Sequence, residues 1–111
     1  MGITKSELFS QKKNSLADMF KVLAHPARLA ILQHIIDERA CICGDLVVEL
    51  GLAQATVSQH LKELKNCGLL KGTVEGKSIC YCIDPEVWQE FYRAFGQFFN
   101  RDVSAGNSDC C

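Results

Sequence analysis

No stretch of the 111-residue sequence approaches the roughly 20 consecutive apolar residues of a membrane span. Residues 1–8 lack the apolar run of a secretion signal. From these two absences a cytoplasmic, reducing location and no membrane partner are expected. Also missing are a Cys-x-x-Cys in a strand–helix–strand context and a glycine-rich loop to cradle phosphate. Those features would have pointed to a thiol oxidoreductase or a phosphate-handling transferase, so no enzyme is expected. Charge of one sign is not in excess: the formal net charge is −1, and nothing at whole-chain level announces nucleic acid. Low-complexity polar tracts are absent too. At 48% hydrophobic and 23% charged residues the chain has the composition of a folding domain, and its length allows a single core.

What is present is local. Between residues 54 and 81 four lysines (Lys62, Lys65, Lys71, Lys77) face two glutamates, whereas from Asp84 onward two arginines face five acidic residues. The charge is therefore segregated in the direction a nucleic-acid-facing middle requires. Seven cysteines stand as Cys41-x-Cys43, a lone Cys67, Cys80-x-Cys82 and the terminal Cys110-Cys111. In a reducing compartment, paired thiols serve metals or redox chemistry more often than structural disulfides.

Leu16, Met19, Phe20 and Leu23, preceded by Leu8 and Phe9, predict an amphipathic helix over residues 6–23. Pro26 opens a second helix that carries Leu29, Leu32, Ile35 and Ile36 to about Arg39. Asp45 is a candidate N-cap for a short helix bearing Leu46, Val47 and Leu50, closed by Gly51. A further helix follows over residues 54–66, burying Val57, Leu61 and Leu64, with Ala53 at its N-cap and Gly68 as its stop. A short helix, a tight turn and a second helix with a polar outer face make a helix-turn-helix pattern. Residues 70–75 and 78–83 flank Gly76 and predict a β-hairpin, a wing. Asp84-Pro85 starts a last helix rich in Phe91, Phe95, Phe98 and Phe99, an aromatic surface that suits either ordinary core packing or a homodimer built on the first and last helices. The expected fold class is α+β, mainly helical: a winged helix-turn-helix with a two-stranded wing in one domain over residues 1–101, and a flexible tail over 102–111 ending in two thiols.

Burying Val57, Leu61 and Leu64 leaves Ser58, Gln59 and Lys62 on the opposite arc of that helix, with Gln54, Thr56 and Lys65 at its start and edges. Amide and hydroxyl side chains hydrogen-bond base edges in a major groove, and lysines, including Lys71 and Lys77 on the wing, neutralise phosphate. A solvated helix face is the plain alternative for any one of these residues. His60 borders the buried side and reads as structural.

Four stretches in order carry a resemblance: Ala24-His25-Pro26-Ala27-Arg28-Leu29-Ala30-Ile31-Leu32; Cys43-Gly44-Asp45-Leu46; Gln54-Ala55-Thr56-Val57-Ser58-Gln59-His60-Leu61-Lys62-Glu63-Leu64; and Gly76-Lys77 with Ile79-Cys80-Tyr81. Over about residues 16–84 the chain resembles the ArsR/SmtB family of metal-responsive repressors. The resemblance implies a winged-helix homodimer that binds double-stranded operator DNA and releases it when an inducer binds.

In arsenic-responsive members of that family, and in some cadmium- and lead-responsive ones, a Cys-x-Cys lies directly ahead of the Asp-Leu of the short helix. Here Gly44 intervenes, and a further cysteine of one arsenic-responsive branch is replaced by Val47-Val48. Cys41 and Cys43 remain the candidate ligands. Thiolate is the ligand form, a nearby helix N-terminus lowers thiol pKa, and soft sulfur selects thiophilic ions. Cys110 or Cys111 would complete a three-thiolate site suited to arsenite or antimonite. The inducer is thus As(III)/Sb(III) or another thiophilic ion, with no cofactor required; Cys80 and Cys82 read as bystanders on a wing strand, with a second thiol site as the alternative. Cadmium or lead sensing, and a disulfide- or persulfide-forming repressor of the same fold, are the alternatives.

Overall fold

The computed structural model describes residues 8–43, 50–75 and 78–104. Among these it has four helices and a two-stranded antiparallel hairpin: α1 (Gln11–Leu23), α2 (Pro26–Glu38), α3 (Gln54–Asn66), β1 (Leu70–Glu75), β2 (Ser78–Ile83) and α4 (Pro85–Phe99). No helix among the described residues is long and apolar enough to cross a membrane.

Local chemistry sets most of these boundaries. Ser10 caps α1, its hydroxyl accepting from the Lys13 N–H at 3.2 Å. That cap moves the start of α1 from the expected residue 6 to Gln11 and leaves Leu8 and Phe9 outside the helix and exposed. Pro26 stands in the first turn of α2, where its missing N–H is no loss. Arg39 ends α2 in the left-handed region, with φ 54°. Ala53 precedes α3 without a capping side chain, as the sequence implies. Asp84 caps α4 through Oδ1, which accepts from the N–H groups of Glu86 at 3.0 Å and Val87 at 3.4 Å. The short helix expected after Asp45 falls largely on residues 44–49, outside the described residues. Leu50 is helical, and Gly51 follows at φ 66°, a left-handed stop that glycine adopts without strain.

The core lies where α2, α3 and the base of the hairpin meet. Ile31, Leu32 and Ile35 of α2 pack with Val57 and Leu64 of α3, with Leu69 and Leu70, and with Ile42, and α4 adds Phe91. Ile31 and Leu64 are wholly excluded from solvent. The hairpin register pairs Leu70 with Ile83 and Gly72 with Tyr81, ending at Glu75 and Ser78; its turn is outside the described residues. Gly68 closes α3 at φ 93°, a conformation that calls for glycine, and a Cβ there would meet the Val87 side chain at an ordinary contact distance of 3.4 Å.

The aromatic residues of α4 divide between core packing and an exposed aromatic face. Phe91 is core, and the ring of Phe95 stacks on Phe20 of α1 with centroids 4.2 Å apart. Phe98 and Phe99 meet the same Phe20 edge-on but stay exposed, as do Trp88 and Tyr92. No residue of α1 is fully buried.

Candidate DNA-reading face and cysteine cluster

The inward packing of Val57 and Leu64 fixes the rotation of α3. Gln54, Thr56, Ser58, Gln59, Lys62 and Lys65 are all exposed on it, as the sequence predicts. Gln59 donates from Nε2 to Glu63 Oε1 at 3.2 Å, a contact within one helical turn that solvent or another acceptor can replace. Lys65 leans toward the wing: a Cβ at Gly72 would stand 3.2 Å from its Nζ. Lys71 is exposed on β1, but its ammonium lies 3.8 Å from Asp84 Oδ2, so a phosphate contact there would compete with an acidic neighbour. Lys77 lies outside the described residues.

Behind α3 a polar strut ties it to the start of α2. Arg28 donates from Nε to His60 Nδ1 at 3.1 Å and from Nη1 to the Val22 carbonyl at 3.1 Å. Burial, then the Arg28 charge and His25, whose ring lies 5.8 Å from that of His60, lower the His60 pKa. This favours the neutral ring, in which Nδ1 keeps the lone pair that accepts from Arg28. His60 is structural, in agreement with its place at the edge of the buried face.

The cysteines are where the structure departs furthest from the expectation. Ile42 and Tyr81 form an antiparallel bridge, exchanging hydrogen bonds of 3.0 Å (Ile42 N to Tyr81 O) and 2.9 Å (Tyr81 N to Ile42 O). The segment ahead of the helix-turn-helix therefore meets the outer edge of β2 at one isolated bridge. The residues flanking a bridge of this kind face each other closely. Cys41 opposes Cys82 and Cys43 opposes Cys80, each pair with Cα atoms 4.4 Å apart and its sulfurs joined in a disulfide. Alternation along a strand puts all four sulfurs on one face and sends Ile42 and Tyr81 to the other, where Ile42 is buried and Tyr81 packs against the core.

Cys80 and Cys82 thus have the Cys41 and Cys43 thiols as direct neighbours. Local periodicity placed them correctly on one face of their strand but carried no information on what lay beside it. The signal that could have found the pairing is the equal spacing of Cys41-Ile42-Cys43 and Cys80-Tyr81-Cys82, each an apolar residue between two thiols. Cys110 and Cys111 lie outside the described residues. Cys67 is the free cysteine among the described residues, its Sγ donating to the Leu64 carbonyl at 3.2 Å, and it reads as structural. With the four sulfurs paired, no group of three or more His, Cys, Asp or Glu among the described residues stands ready to hold a metal.

A helix with an exposed polar face, seated on a core by a preceding helix and followed directly by a β-hairpin, defines a winged helix-turn-helix DNA-binding protein. A family model described as "Bacterial regulatory protein, arsR family" matches residues 25–71. The cadmium resistance transcriptional regulatory protein CadC homolog of Staphylococcus aureus is 34% identical over 83 residues, 74% of this chain and 68% of that protein. The chain belongs to the ArsR family, whose members are transcriptional regulators and not enzymes. The HTH-type transcriptional regulator CmtR of Mycobacterium tuberculosis (strain ATCC 25618 / H37Rv) is 38% identical over 72 residues, 65% of this chain, and the match spans 60% of that relative's length. Among solved structures, M. tuberculosis Rv0081 superposes with a TM-score of 0.66 at 27% identity, over 81% of this chain and 91% of that one. The AntR antimony-specific transcriptional repressor superposes with a TM-score of 0.59 at 28% identity, over 86% and 83%.

Proposed function

We propose that this protein is a homodimeric transcriptional repressor whose hold on operator DNA ends when a thiophilic metal or metalloid binds the thiolates of Cys41 and Cys43. The observation that carries this reading is the position of those two cysteines. They sit on the segment that leads into the helix-turn-helix, beside the wing, so chemistry at their sulfurs acts on both DNA-facing parts at once. An ion needs to favour the non-binding arrangement by only a few kcal/mol to empty the operator. Relatives named for cadmium and for antimony support an inducer of this chemical class. Arsenite or antimonite is the inducer suited to Cys41 and Cys43 completed by a third thiolate from Cys110 or Cys111. The experiment is an operator-binding assay on the reduced protein against arsenite, antimonite, cadmium and lead; release by none of them overturns the reading.

DNA is read by α3 and held by the lysines. Affinity should fall steeply with salt as Lys62, Lys65 and Lys77 act on phosphate, and Gln59→Ala should erode sequence preference by about 1 to 3 kcal/mol. Unchanged specificity in that variant, measured by competition between operator and scrambled DNA, would rule out Gln59 as a reading residue. Dimerisation is supported by a helix, α1, that buries no residue fully, and by Phe98, Phe99, Trp88 and Tyr92 exposed on α4. Sedimentation at micromolar concentration should give the mass of two chains; a monomer alone would refute it.

One observation favours a second reading. Two disulfides join the segment ahead of the helix-turn-helix to the wing, so oxidation of the four thiols by a peroxide or disulfide oxidant is itself a candidate signal. Operator affinity that differs between reduced and oxidised protein in the absence of metal would select it.

A further inference from the structure

We infer that Cys80 and Cys82 of the wing join Cys41 and Cys43 in a single four-thiolate site for a divalent thiophilic cation of the cadmium class. This rests on the proposed thiolate-bound inducer and, for a divalent ion, puts the two wing cysteines in place of the tail thiolate that an arsenite site would use. A Cys-x-Cys alone offers two donors, too few to hold such an ion firmly. The Ile42–Tyr81 bridge supplies the other two by placing a second Cys-x-Cys opposite the first, with both cross-strand Cα separations at 4.4 Å. All four side chains leave the same face, and within each cross-strand pair the sulfurs are already in contact; the two pairs stand roughly 7 Å apart along the chain and lean together to share one ion. A hollow of about 300 Å³ adjoins Cys41 and Cys82, lined also by Arg39, Ile35, Ile36 and Ile83. It offers room beside the sulfurs as well as a guanidinium.

The charges and donor number select the ion. Four thiolates around one divalent cation leave a net charge of about −2. Arg39 at the hollow offsets part of it, while Lys71, opposite Cys82 in the hairpin register, is shared with Asp84 3.8 Å away. A set of four sulfurs suits divalent ions that accept a tetrahedron of soft donors, whereas a three-coordinate metalloid would leave one thiol unbound. The disulfides exclude the ion. Each must first take two electrons and two protons from a dithiol reductant, which itself becomes a disulfide; on binding, the four thiol protons pass to solvent.

The test uses the full chain, reduced with a dithiol, freed of reductant without oxygen and titrated with cadmium(II). Sulfur-to-cadmium charge-transfer absorption and alkylation mapped by mass spectrometry are recorded beside operator release. The expected result is protection of Cys41, Cys43, Cys80 and Cys82 together, with Cys67, Cys110 and Cys111 alkylated. In the Cys80→Ser/Cys82→Ser variant the absorption per bound ion should drop to about half, as two of four sulfur bonds remain. Unchanged absorption in that variant, or protection of Cys110 or Cys111 in place of the wing cysteines, overturns the inference while leaving Cys41 and Cys43 as inducer ligands. Protection of all four thiols without operator release would instead sustain the site and remove cadmium from the inducers of the proposed function. Circular dichroism of the serine variant checks that its fold is kept.

Discussion

A chain carrying Cys41→Ser and Cys43→Ser should keep its operator and no longer release it. Neither residue lies on the outer face of α3, and the hydrogen bonds that seat their segment run through the backbone of Ile42, which the substitutions leave in place. Serine is nearly the same size but is a poor ligand for soft ions. What is removed is the coupling between inducer and DNA. Allosteric couplings of about 1 to 3 kcal/mol correspond to roughly 5- to 150-fold in affinity, so the ratio of operator affinity with and without inducer should collapse from that range toward unity. Fluorescence anisotropy with labelled operator, on reduced protein with and without cadmium or arsenite, reads this directly. Cys67→Ser, away from the cluster, should respond as the unaltered chain does, and truncation after Asp109 should weaken the arsenite response if a terminal thiolate takes part. Full release from the double serine variant would remove Cys41 and Cys43 from the inducer site.

The second large effect falls on stability. Leu64→Ala should cost about 2 to 5 kcal/mol, because Leu64 is wholly buried where α2, α3 and the hairpin base meet and the cavity has rigid walls. Against a domain stability of roughly 5 to 15 kcal/mol that is a large fraction, and α3 would lose its seating together with the fold. Lys62→Ala on the exposed face of the same helix is the control. It should change stability by less than about 0.5 kcal/mol while weakening DNA binding. Urea unfolding followed by far-ultraviolet circular dichroism separates the two. Equal unfolding midpoints for Leu64→Ala and the unaltered chain would show that α3 is not held as described.

These expectations draw on features with different legibility in the sequence. The bounds of α3 follow from Val57 and Leu64 on one face, Gly68 behind them and the turn at Gly51, all read within a window of a few residues. The hairpin is as plain: two runs of strand-forming residues around Gly76-Lys77, ended by Asp84-Pro85. The start of α1 was not legible, because Leu8 and Phe9 continue the apolar pattern and only the hydroxyl of Ser10 marks the cap. Nor was the division of the α4 phenylalanines, since periodicity says which residues share a face but not whether α1 comes to cover it. The cysteine cluster was half legible. Each Cys-x-Cys could be placed on its own segment, but the contact between them joins residues 41 and 43 to residues 82 and 80 through a single bridge, and a local pattern does not report so distant a neighbour.

That single bridge also sets the topology of the chain. With Cys43 and Cys80 joined across a separation of 37 residues, everything between them, the reading helix and most of the wing included, becomes a closed ring. A cross-link of that span removes on the order of 4 kcal/mol of freedom from the unfolded chain in the loop-entropy account. The second bond, Cys41 to Cys82, closes almost no new loop beyond the first and adds little of this kind. Opening the ring returns that entropy to the unfolded chain, so the thermal endurance of the DNA-reading element is tied to the redox state of its thiols. In the oxidised chain it unfolds as a tethered loop; in the reduced chain it unfolds as free ends.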